Sequence, residues 1–314
     1  MKVVVTGSVA FDHIMSMPAR FKDYLQPDKL HIINVSFLMD KFRREKGGTG
    51  ANQAYNLALL GYKPVLVATV GKDFLGEYKK HLQKSGVDVN NVKVFKKEFT
   101  ATGFVMTDKD DNQIWGFYSG VMKKSKKVNL QQIMQKNDFL LLTPDDSEAT
   151  EKRIKQADKM NWRYLFDPAF QTARLSVKSL KNGVLGAEIV IGNDYEIAML
   201  LKRTKLSKKE ILRKDRILIT TLGAKGSVIE TRDKKIKIPA AKPKNTSDPT
   251  GAGDAYRAGF VAGYLKGMDL KICGRMGALA AVYTVELYGT QTHKFTIDEF
   301  KRRYKENFKK NLEI

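Results

Sequence analysis

The chain has one cysteine, Cys273, in 314 residues, and it has no long hydrophobic segment. A single cysteine excludes an internal disulfide and is typical of proteins from a reducing compartment. No apolar run approaches the length of a membrane span, and the strand-like start at 1–5 soon meets Gly7 and Asp12, so we expect neither a membrane anchor nor a signal peptide. Internal repeats and low-complexity linkers are also missing. These absences predict a cytoplasmic protein.

Acidic residues are fewer than basic ones: the chain has 34 aspartates and glutamates and 56 lysines and arginines. Its formal net charge is therefore +22. The basic residues concentrate at 123–127, 202–214, 234–237 and 302–310. Such clusters indicate either a surface that binds polyanions or a lysine-rich solvated face. Because aromatic residues are not interleaved with the clusters, as single-strand binders require, we favour the solvated face and do not expect a nucleic-acid partner. The positive field should still favour capture of an anionic nucleotide.

The apolar content of 42% is enough for a substantial core, and the length fits one large α/β domain with a small appendage, or two domains. Strand-like and helix-like segments alternate along most of the chain, which indicates parallel strands joined by crossover helices. We predict strands at 3–6, 65–70, 139–143, 164–166, 189–191 and 216–222, and helices at 74–85, 147–160, 272–287 and 296–308.

A smaller group of strands interrupts this alternation. Residues 30–38 read as a strand, and the runs 99–107 and 113–118 flank the polar turn 108–112, which indicates a hairpin exposed on at least one side. These segments predict a small β-sheet beside the main one.

The most informative stretch is Asp248-Pro249-Thr250-Gly251-Ala252-Gly253-Asp254, which leads into the apolar run 255–265. Pro249 disfavours a helical conformation at Asp248, so the stretch begins as a loop and becomes a helix after the glycines. The free amides of a first helical turn, with the helix dipole behind them, form an anion site. Glycines at 251 and 253 remove the side chains that would keep a phosphate away. The stretch therefore predicts a phosphate-binding turn.

Two aspartates stand out around such a turn. The carboxylate of Asp254 would repel a bound phosphate, so it is either an ordinary partner of the helix dipole or, as we favour, a general base that accepts the proton of an attacking hydroxyl. Asp12 comes after the first predicted strand, where ligands collect in open α/β sheets. It is either a reader of a substrate hydroxyl or a polar turn residue.

Residues 248–254 resemble the C-terminal signature of the PfkB family of ribokinase-like carbohydrate kinases, and the continuation 256–260 is similar to its adenosine and nucleoside kinase branch. A second glycine loop, Lys46-Gly47-Gly48-Thr49-Gly50-Ala51-Asn52, enters an apolar helix and resembles the N-terminal signature of the family. The Walker motif GxxxxGK[ST] is absent, and the glycines at 251 and 253 lack the third small residue of a dinucleotide fingerprint. The resemblance runs nearly from end to end.

The resemblance implies a ribokinase-like three-layer α/β/α sandwich with a mostly parallel central sheet and a small β-sheet lid. The large nucleotide-binding domain would span 1–12, 38–98 and 119–314, and the lid would span 13–37 and 99–118. The implied activity is an ATP-dependent kinase that uses Mg²⁺.

Roles for single residues around the acceptor follow from the same resemblance. It implies that Asp254 is the catalytic base and that backbone amides stabilise the moving phosphoryl group, at Gly251, Ala252 and Gly253. The acceptor would be held by Asp12, Gly48 and Asn52. Three aromatic residues of the hairpin either stack on the acceptor or form the lid's own small core, namely Phe104, Trp115 and Phe117.

The nucleotide end of the site is implied by three further segments. Asn193 and Glu196 match the family's Asn-x-x-Glu motif for magnesium and phosphate, although the same spacing before an apolar helix is also a capping box. Thr221 and Gly223 belong to the loop that the family uses for ATP. A monovalent cation, potassium, would lie beside Asp248 and Thr250.

The residues after Asp167-Pro168 narrow the choice of acceptor. Many sugar and sugar-phosphate kinases of the family carry Asn-x-Arg after this proline, where this chain has Ala169, Phe170 and Gln171. The missing arginine disfavours a phosphorylated sugar, and the 256–260 continuation favours the 5′-hydroxyl of a nucleoside, above all adenosine. The alternatives are ribose or another free sugar, and a basic polyanion-binding protein on a kinase-like scaffold. An exposed lid edge allows either a monomer or a homodimer.

Overall fold

The computed structural model describes residues 1–110 and 112–314, so Asp111 of the predicted polar turn lies outside the described residues. The strands are β1 Val3–Thr6, β2 Ala10–Ser16, β3 Lys41–Gly47, β4 Val65–Val67, β5 Thr69–Gly71, β6 Lys93–Phe95, β7 Ala101–Thr107, β8 Gln113–Tyr118, β9 Phe139–Leu142, β10 Arg163–Phe166, β11 Ile189–Asn193, β12 Ile217–Thr221, β13 Ser227–Glu230 and β14 Lys235–Ile238. The α-helices are α1 Thr49–Leu59, α2 Glu77–Lys84, α3 Ser147–Met160, α4 Val177–Gly186, α5 Asp194–Thr204, α6 Lys208–Ile211, α7 Ala252–Tyr264, α8 Leu270–Val285 and α9 Ile297–Phe308.

Eight strands form the main sheet, in the order β14-β13-β12-β11-β10-β9-β1-β4. The strands from β12 to β4 are parallel to their neighbours, and β13 and β14 add an antiparallel edge. Parallel strands end at one edge of a sheet, so the segments after β1, β9, β10, β11 and β12 are gathered on the same side. Ligands of open α/β sheets bind at this edge.

Both faces of the main sheet are covered by helices. Val3 and Val5 pack in the core formed with α1, α2, α7, α8 and α9, whereas Val4 belongs to the core formed with α3, α4 and α5. Burial on both faces explains why these strands are continuous apolar runs. The predicted three-layer α/β/α sandwich is confirmed. Within the described residues, no helix combines the length and apolar character that crossing a membrane requires.

A separate four-stranded sheet, in the order β3-β2-β7-β8, forms the lid. Strands β2 and β7 are parallel, and the other two pairs are antiparallel. The predicted hairpin is confirmed, because β7 pairs with β8 from Thr102 opposite Tyr118 to Thr107 opposite Gln113. Asp12 lies near the start of β2, opposite Glu45 on β3 and Gly103 on β7.

Two strand predictions were wrong. Residues 30–38 do not form a strand: Pro27–Ile32 is a 3-10 helix, and the following apolar side chains have no strand beside them, so Ile33 and Leu38 are exposed. The lid's edge strand is instead Lys41–Gly47, whose charged, exposed residues hide the strand pattern. The predicted strand 65–70 is broken at Ala68, after which Thr69–Gly71 pairs with β6 in a two-stranded sheet.

Candidate active site

The turn before α7 is built around Gly251. This residue caps the helix with φ of 79°, and a Cβ placed there would lie 2.9 Å from the Cβ of Thr290. The amide of Ala252 donates to Pro249 O at 3.2 Å, and that of Ala255 donates to Gly251 O at 3.0 Å. Gly253 and Asp254 lie between these two residues, and within the described part of the chain their amides have no backbone acceptor. The helix therefore begins with free donors, which is the arrangement that binds an anion.

Asp254 lies in the first turn of α7 and is buried, with 8% of its surface exposed. Its carboxylate accepts hydrogen bonds from Asn52 Nδ2 at 2.8 Å and from Gln53 Nε2 at 3.3 Å. Burial raises the pKa of Asp254 to about 6, and Arg257 and the Asn52 hydrogen bond oppose part of this rise. A carboxyl group with this pKa is mostly ionised at neutral pH and is still basic enough to accept a proton.

A buried ion pair, formed by Arg257 and Asp167, lies beside Asp254. Arg257 lies three residues further along α7, and its guanidinium contacts the carboxylate of Asp167 at 2.5 Å and 2.8 Å. Asp167 comes directly after β10 and also accepts from Gln53 Nε2 at 3.1 Å. The added Cβ of an alanine at Gly253 would lie 2.7 Å from Arg257 Nη1. The absence of a side chain at this position therefore leaves room for the ion pair.

The second glycine loop meets this turn, because α1 carries Asn52 and Gln53 to Asp254. Gly48 caps α1 with φ of 95°, and a Cβ there would lie 2.6 Å from Ser8 O and 2.7 Å from Ala10 N. The space opened at Gly48 is thus occupied by the chain that connects β1 with β2. This close packing explains why the position needs glycine. It also fixes the start of α1, whose first turns carry the side chains that contact Asp254.

Asp12 occupies a slot between two glycines. Cβ atoms added to Gly47 and Gly103 would lie 2.3 Å and 2.5 Å from its carboxylate oxygens. Burial, followed by the nearby negative charges of Glu45 and Asp248, raises the pKa of Asp12 to about 6. A larger residue on either neighbouring strand would displace the carboxylate.

A cavity of about 540 Å³ lies between the lid and the large domain. Its lining includes Asp12, Arg43, Glu45 and Trp115 from the lid, and Asp248, Thr250, Tyr288 and Thr290 from the large domain. Asp254 itself does not line the cavity. Two hydrogen bonds connect the cavity wall to it: the hydroxyl of Thr290, which lines the cavity, donates to Asn52 Oδ1 at 2.7 Å, and Asn52 donates to Asp254.

Phe104 and Trp115, which the sequence predicts together at the acceptor, lie on opposite faces of the lid sheet. Trp115 lines the cavity, and its ring lies beside Gly103. Phe104 pairs with His13 on the other face, where the two rings are 5.2 Å apart and 45% of Phe104 is exposed. The structure therefore brings Trp115, but not Phe104, to the cavity.

The four residues expected at the nucleotide end gather at the carboxyl ends of β11 and β12, where Asn193 is opposite Thr221. The capping box is confirmed: Asn193 Oδ1 accepts from Glu196 N, and Glu196 Oε2 accepts from Asn193 N, both at 2.8 Å. Gly223 lies in the exposed loop after β12, with φ of 57°. Glu196 is half-buried, and its carboxylate oxygens are of the hard type that Mg²⁺ prefers, so this residue fits a magnesium-binding role directly or through water.

Asp248 ties two loops together. Its carboxylate accepts from Thr250 N at 2.9 Å and from Gly289 N at 3.2 Å. Both oxygens are thus engaged by main-chain donors, and each retains a further lone pair.

Several neighbours of Asp254 are not evident from the sequence. Arg257 had a signal, since it lies three residues after Asp254 and helical spacing carries it to the same face. Gln53 had only its position directly after Asn52 in the second glycine loop. For Asp167 the only sequence signal is its place in an Asp-Pro segment. Thr290 and Gln291 had no signal, because their approach to Asn52 joins positions more than two hundred residues apart.

Comparisons with known proteins identify the family of the chain. The pfkB family carbohydrate kinase model matches residues 5–296. The chain is 32% identical to a nucleoside kinase of Methanocaldococcus jannaschii over 96% of both chains, and 34% identical to one of Methanothermobacter thermautotrophicus over 93% of this chain and 91% of that one.

Solved structures show the same similarity. A Burkholderia thailandensis nucleoside kinase in complex with inosine superposes with a TM-score of 0.88 at 30% identity, covering 98% of this chain and 99% of that one. The Methanocaldococcus jannaschii nucleoside kinase, an archaeal member of the ribokinase family, gives a TM-score of 0.87 at 32% identity, covering 97% and 98%. The predicted ribokinase-like fold is confirmed, and the chain belongs to the pfkB family of carbohydrate kinases, phosphotransferases that act on an alcohol group.

Proposed function

We propose that this protein transfers the γ-phosphoryl group of ATP to the 5′-hydroxyl of a nucleoside, and that adenosine is the preferred acceptor. The observation that carries the proposal is the meeting of three features: a buried aspartate, a helix start with free amides, and an adjoining cavity under a lid. The nucleoside kinase of Burkholderia thailandensis, solved with inosine and with ADP-inosine, supports the choice of substrates.

In the proposed reaction, the 5′-oxygen of the nucleoside forms a bond to the γ-phosphorus of ATP, and Asp254 accepts the proton that this hydroxyl loses. The bond between that phosphorus and the β–γ bridging oxygen breaks, and ADP leaves with the electron pair. The free amides of Gly253 and Asp254, at the positive end of α7, stabilise the charge on the moving phosphoryl group. Gly251 and Ala252 position these donors.

Around the acceptor, Asp12 accepts hydrogen bonds from ribose hydroxyls, and the Gly48 turn orients α1 so that Asn52 faces the reaction centre. Trp115 stacks on the nucleobase, whereas the placement of Phe104 on the far face of the lid supports only a structural role there. The cavity of about 540 Å³ has room for a base as well as a sugar. Its aromatic lining is the reason to prefer a nucleoside over free ribose.

For the nucleotide, we propose that Thr221 and Gly223 contact ATP and that Asn193 and Glu196 hold the magnesium-associated end. Mg²⁺, when bound, neutralises negative charge on the phosphates of ATP. We also propose that a monovalent cation, potassium, binds beside Asp248 and Thr250. Replacing K⁺ by a bulky organic cation in the assay should then lower turnover.

A panel of nucleosides and free sugars, assayed for ATP-dependent ADP release with purified protein, tests the proposal. We expect turnover with adenosine and related nucleosides, and product analysis should place the phosphate on the 5′-oxygen. Turnover with ribose but with no nucleoside would replace the proposal by a sugar kinase. No transfer to any acceptor, together with salt-sensitive retention on nucleic acid, would favour a polyanion-binding protein.

A further inference from the structure

A line of buried side chains connects the end of the lid strand β3 to Asp254. Tyr78 OH donates to Gly47 O at 2.6 Å, and Gln291 Nε2 donates to Tyr78 OH at 2.7 Å. Gln291 Nε2 also donates to Asn52 Oδ1 at 2.8 Å, and Asn52 Nδ2 donates to Asp254 Oδ2 at 2.8 Å. Tyr78, Gln291 and Asn52 are each less than 5% exposed. The four hydrogen bonds therefore form one path that solvent does not interrupt.

The direction of each hydrogen bond follows from the two ends of this path. The carbonyl of Gly47 can only accept, so the single hydroxyl proton of Tyr78 is committed to it, and the Tyr78 oxygen is left as an acceptor. That oxygen requires the amide nitrogen of Gln291, whose second N–H then points at Asn52. Asn52 must present its oxygen to Gln291, so its nitrogen faces Asp254.

The opposite arrangement is penalised at both ends. With both amides rotated by half a turn, Tyr78 would donate to Gln291 and leave Gly47 O without its donor. Asn52 would then aim its oxygen at the carboxylate of Asp254. Two buried groups would thus lose hydrogen bonds, and two acceptors would face each other.

We propose that Tyr78 and Gln291 are positioning residues, which hold the Asn52 amide so that its N–H, and not its C=O, faces the catalytic base. Only the expected effect on turnover rests on the proposed function. The orientation of Asn52 itself does not depend on the substrate. The charged groups that face Asp254, Arg257 on its own helix and Asp167 after β10, are outside this path. His81 is the titratable group beside Gln291.

Kinetics with Tyr78→Phe and Gln291→Met test the effect on catalysis. Both variants keep the shape of the side chain and remove one member of the path. Gln291→Met removes a donor to Asn52 Oδ1, which then keeps, among the described residues, only the Thr290 hydroxyl. Tyr78→Phe removes the acceptor that fixes the Gln291 amide, so in both cases the donation from Asn52 to Asp254 weakens. We expect kcat to fall about tenfold with KM for ATP within about twofold, and the acid limb of kcat to move up by roughly half a pH unit or more. The matched control is Tyr164→Phe, a buried tyrosine that donates to Gly183 O at 3.1 Å in the other core and should change neither.

A structural readout separates this inference from the proposed function. With selective ¹⁵N-asparagine labelling, the side-chain amide of Asn52, assigned by its absence from an Asn52→Ser variant, should titrate with Asp254. The midpoint should move to higher pH in Tyr78→Phe and Gln291→Met but not in Tyr164→Phe. Equal midpoints in all four proteins would overturn the positioning role. Shifted midpoints in a protein that phosphorylates no nucleoside would uphold it and refute the proposed function.

Discussion

The Asp254→Asn variant is expected to lose turnover and yet to become relatively more stable as pH rises. Burial raises the pKa of Asp254 from 3.8 to about 6. One pKa unit corresponds to about 1.4 kcal/mol, so at high pH the ionised side chain costs the folded state about 3 kcal/mol. This free energy is the cost of holding an ionised carboxylate at a buried position.

The sign and the pH range follow from the two pKa values. Because the folded-state pKa is the higher one, the fold loses stability as pH rises from about 4 to about 6, and the loss is complete above that range. The cost is about 3 kcal/mol near pH 8 and about half of that near pH 5. An amide does not ionise, so the advantage of Asp254→Asn over the wild type should grow by about 1.4 kcal/mol between these conditions.

Urea unfolding of both proteins at the two pH values measures this change. The introduced amide N–H faces the donors of Asn52 and Gln53, which destabilises the variant. Because this loss of stability is the same at both pH values, it cancels when the two are compared. Turnover of the variant should fall by roughly two to four orders of magnitude, the scale of a general base. Asp28→Asn, at an exposed aspartate, is the control. A stability difference that does not depend on pH, or near-normal turnover, would refute the reasoning.

Three other variants test the surroundings of the cavity. Glu45→Gln should lower the pKa of Asp12 by removing a nearby negative charge, so the acid limb of 1/KM for the acceptor should move to lower pH; an unmoved limb would exclude this coupling. Gly251→Ala should lower the free energy of unfolding by about 1–3 kcal/mol because of its φ and its contact with Thr290, whereas Gly116→Ala, with open space around it, should not. Trp115→Ala should raise KM for the nucleoside by roughly tenfold and leave KM for ATP within about twofold, as loss of base stacking predicts; equal effects on both constants would count against stacking.

The main sheet could be predicted because its strands are buried on both faces. An apolar run such as Phe139–Leu142 has one plausible environment, and the helices between such runs carry their own start and stop residues, as at Ser147–Met160. The lid was harder. Its edge strand Lys41–Gly47 is charged and exposed, and its residues become a strand only because β2 lies beside them.

Local sequence was sufficient where the candidate site depends on main-chain geometry. The glycines at 48 and 251 adopt positive φ, and each begins the helix that was predicted after it, because these features involve only neighbouring residues. The tertiary structure alone decided which face of the lid each aromatic residue occupies and which side chains surround Asp254. Gln291, Tyr78 and Asn52 come from distant parts of the chain, and a hydrogen-bonded path among them exists only after the sheet has closed. A sequence states which donors and acceptors are present, but their pairing depends on the folded distances between them.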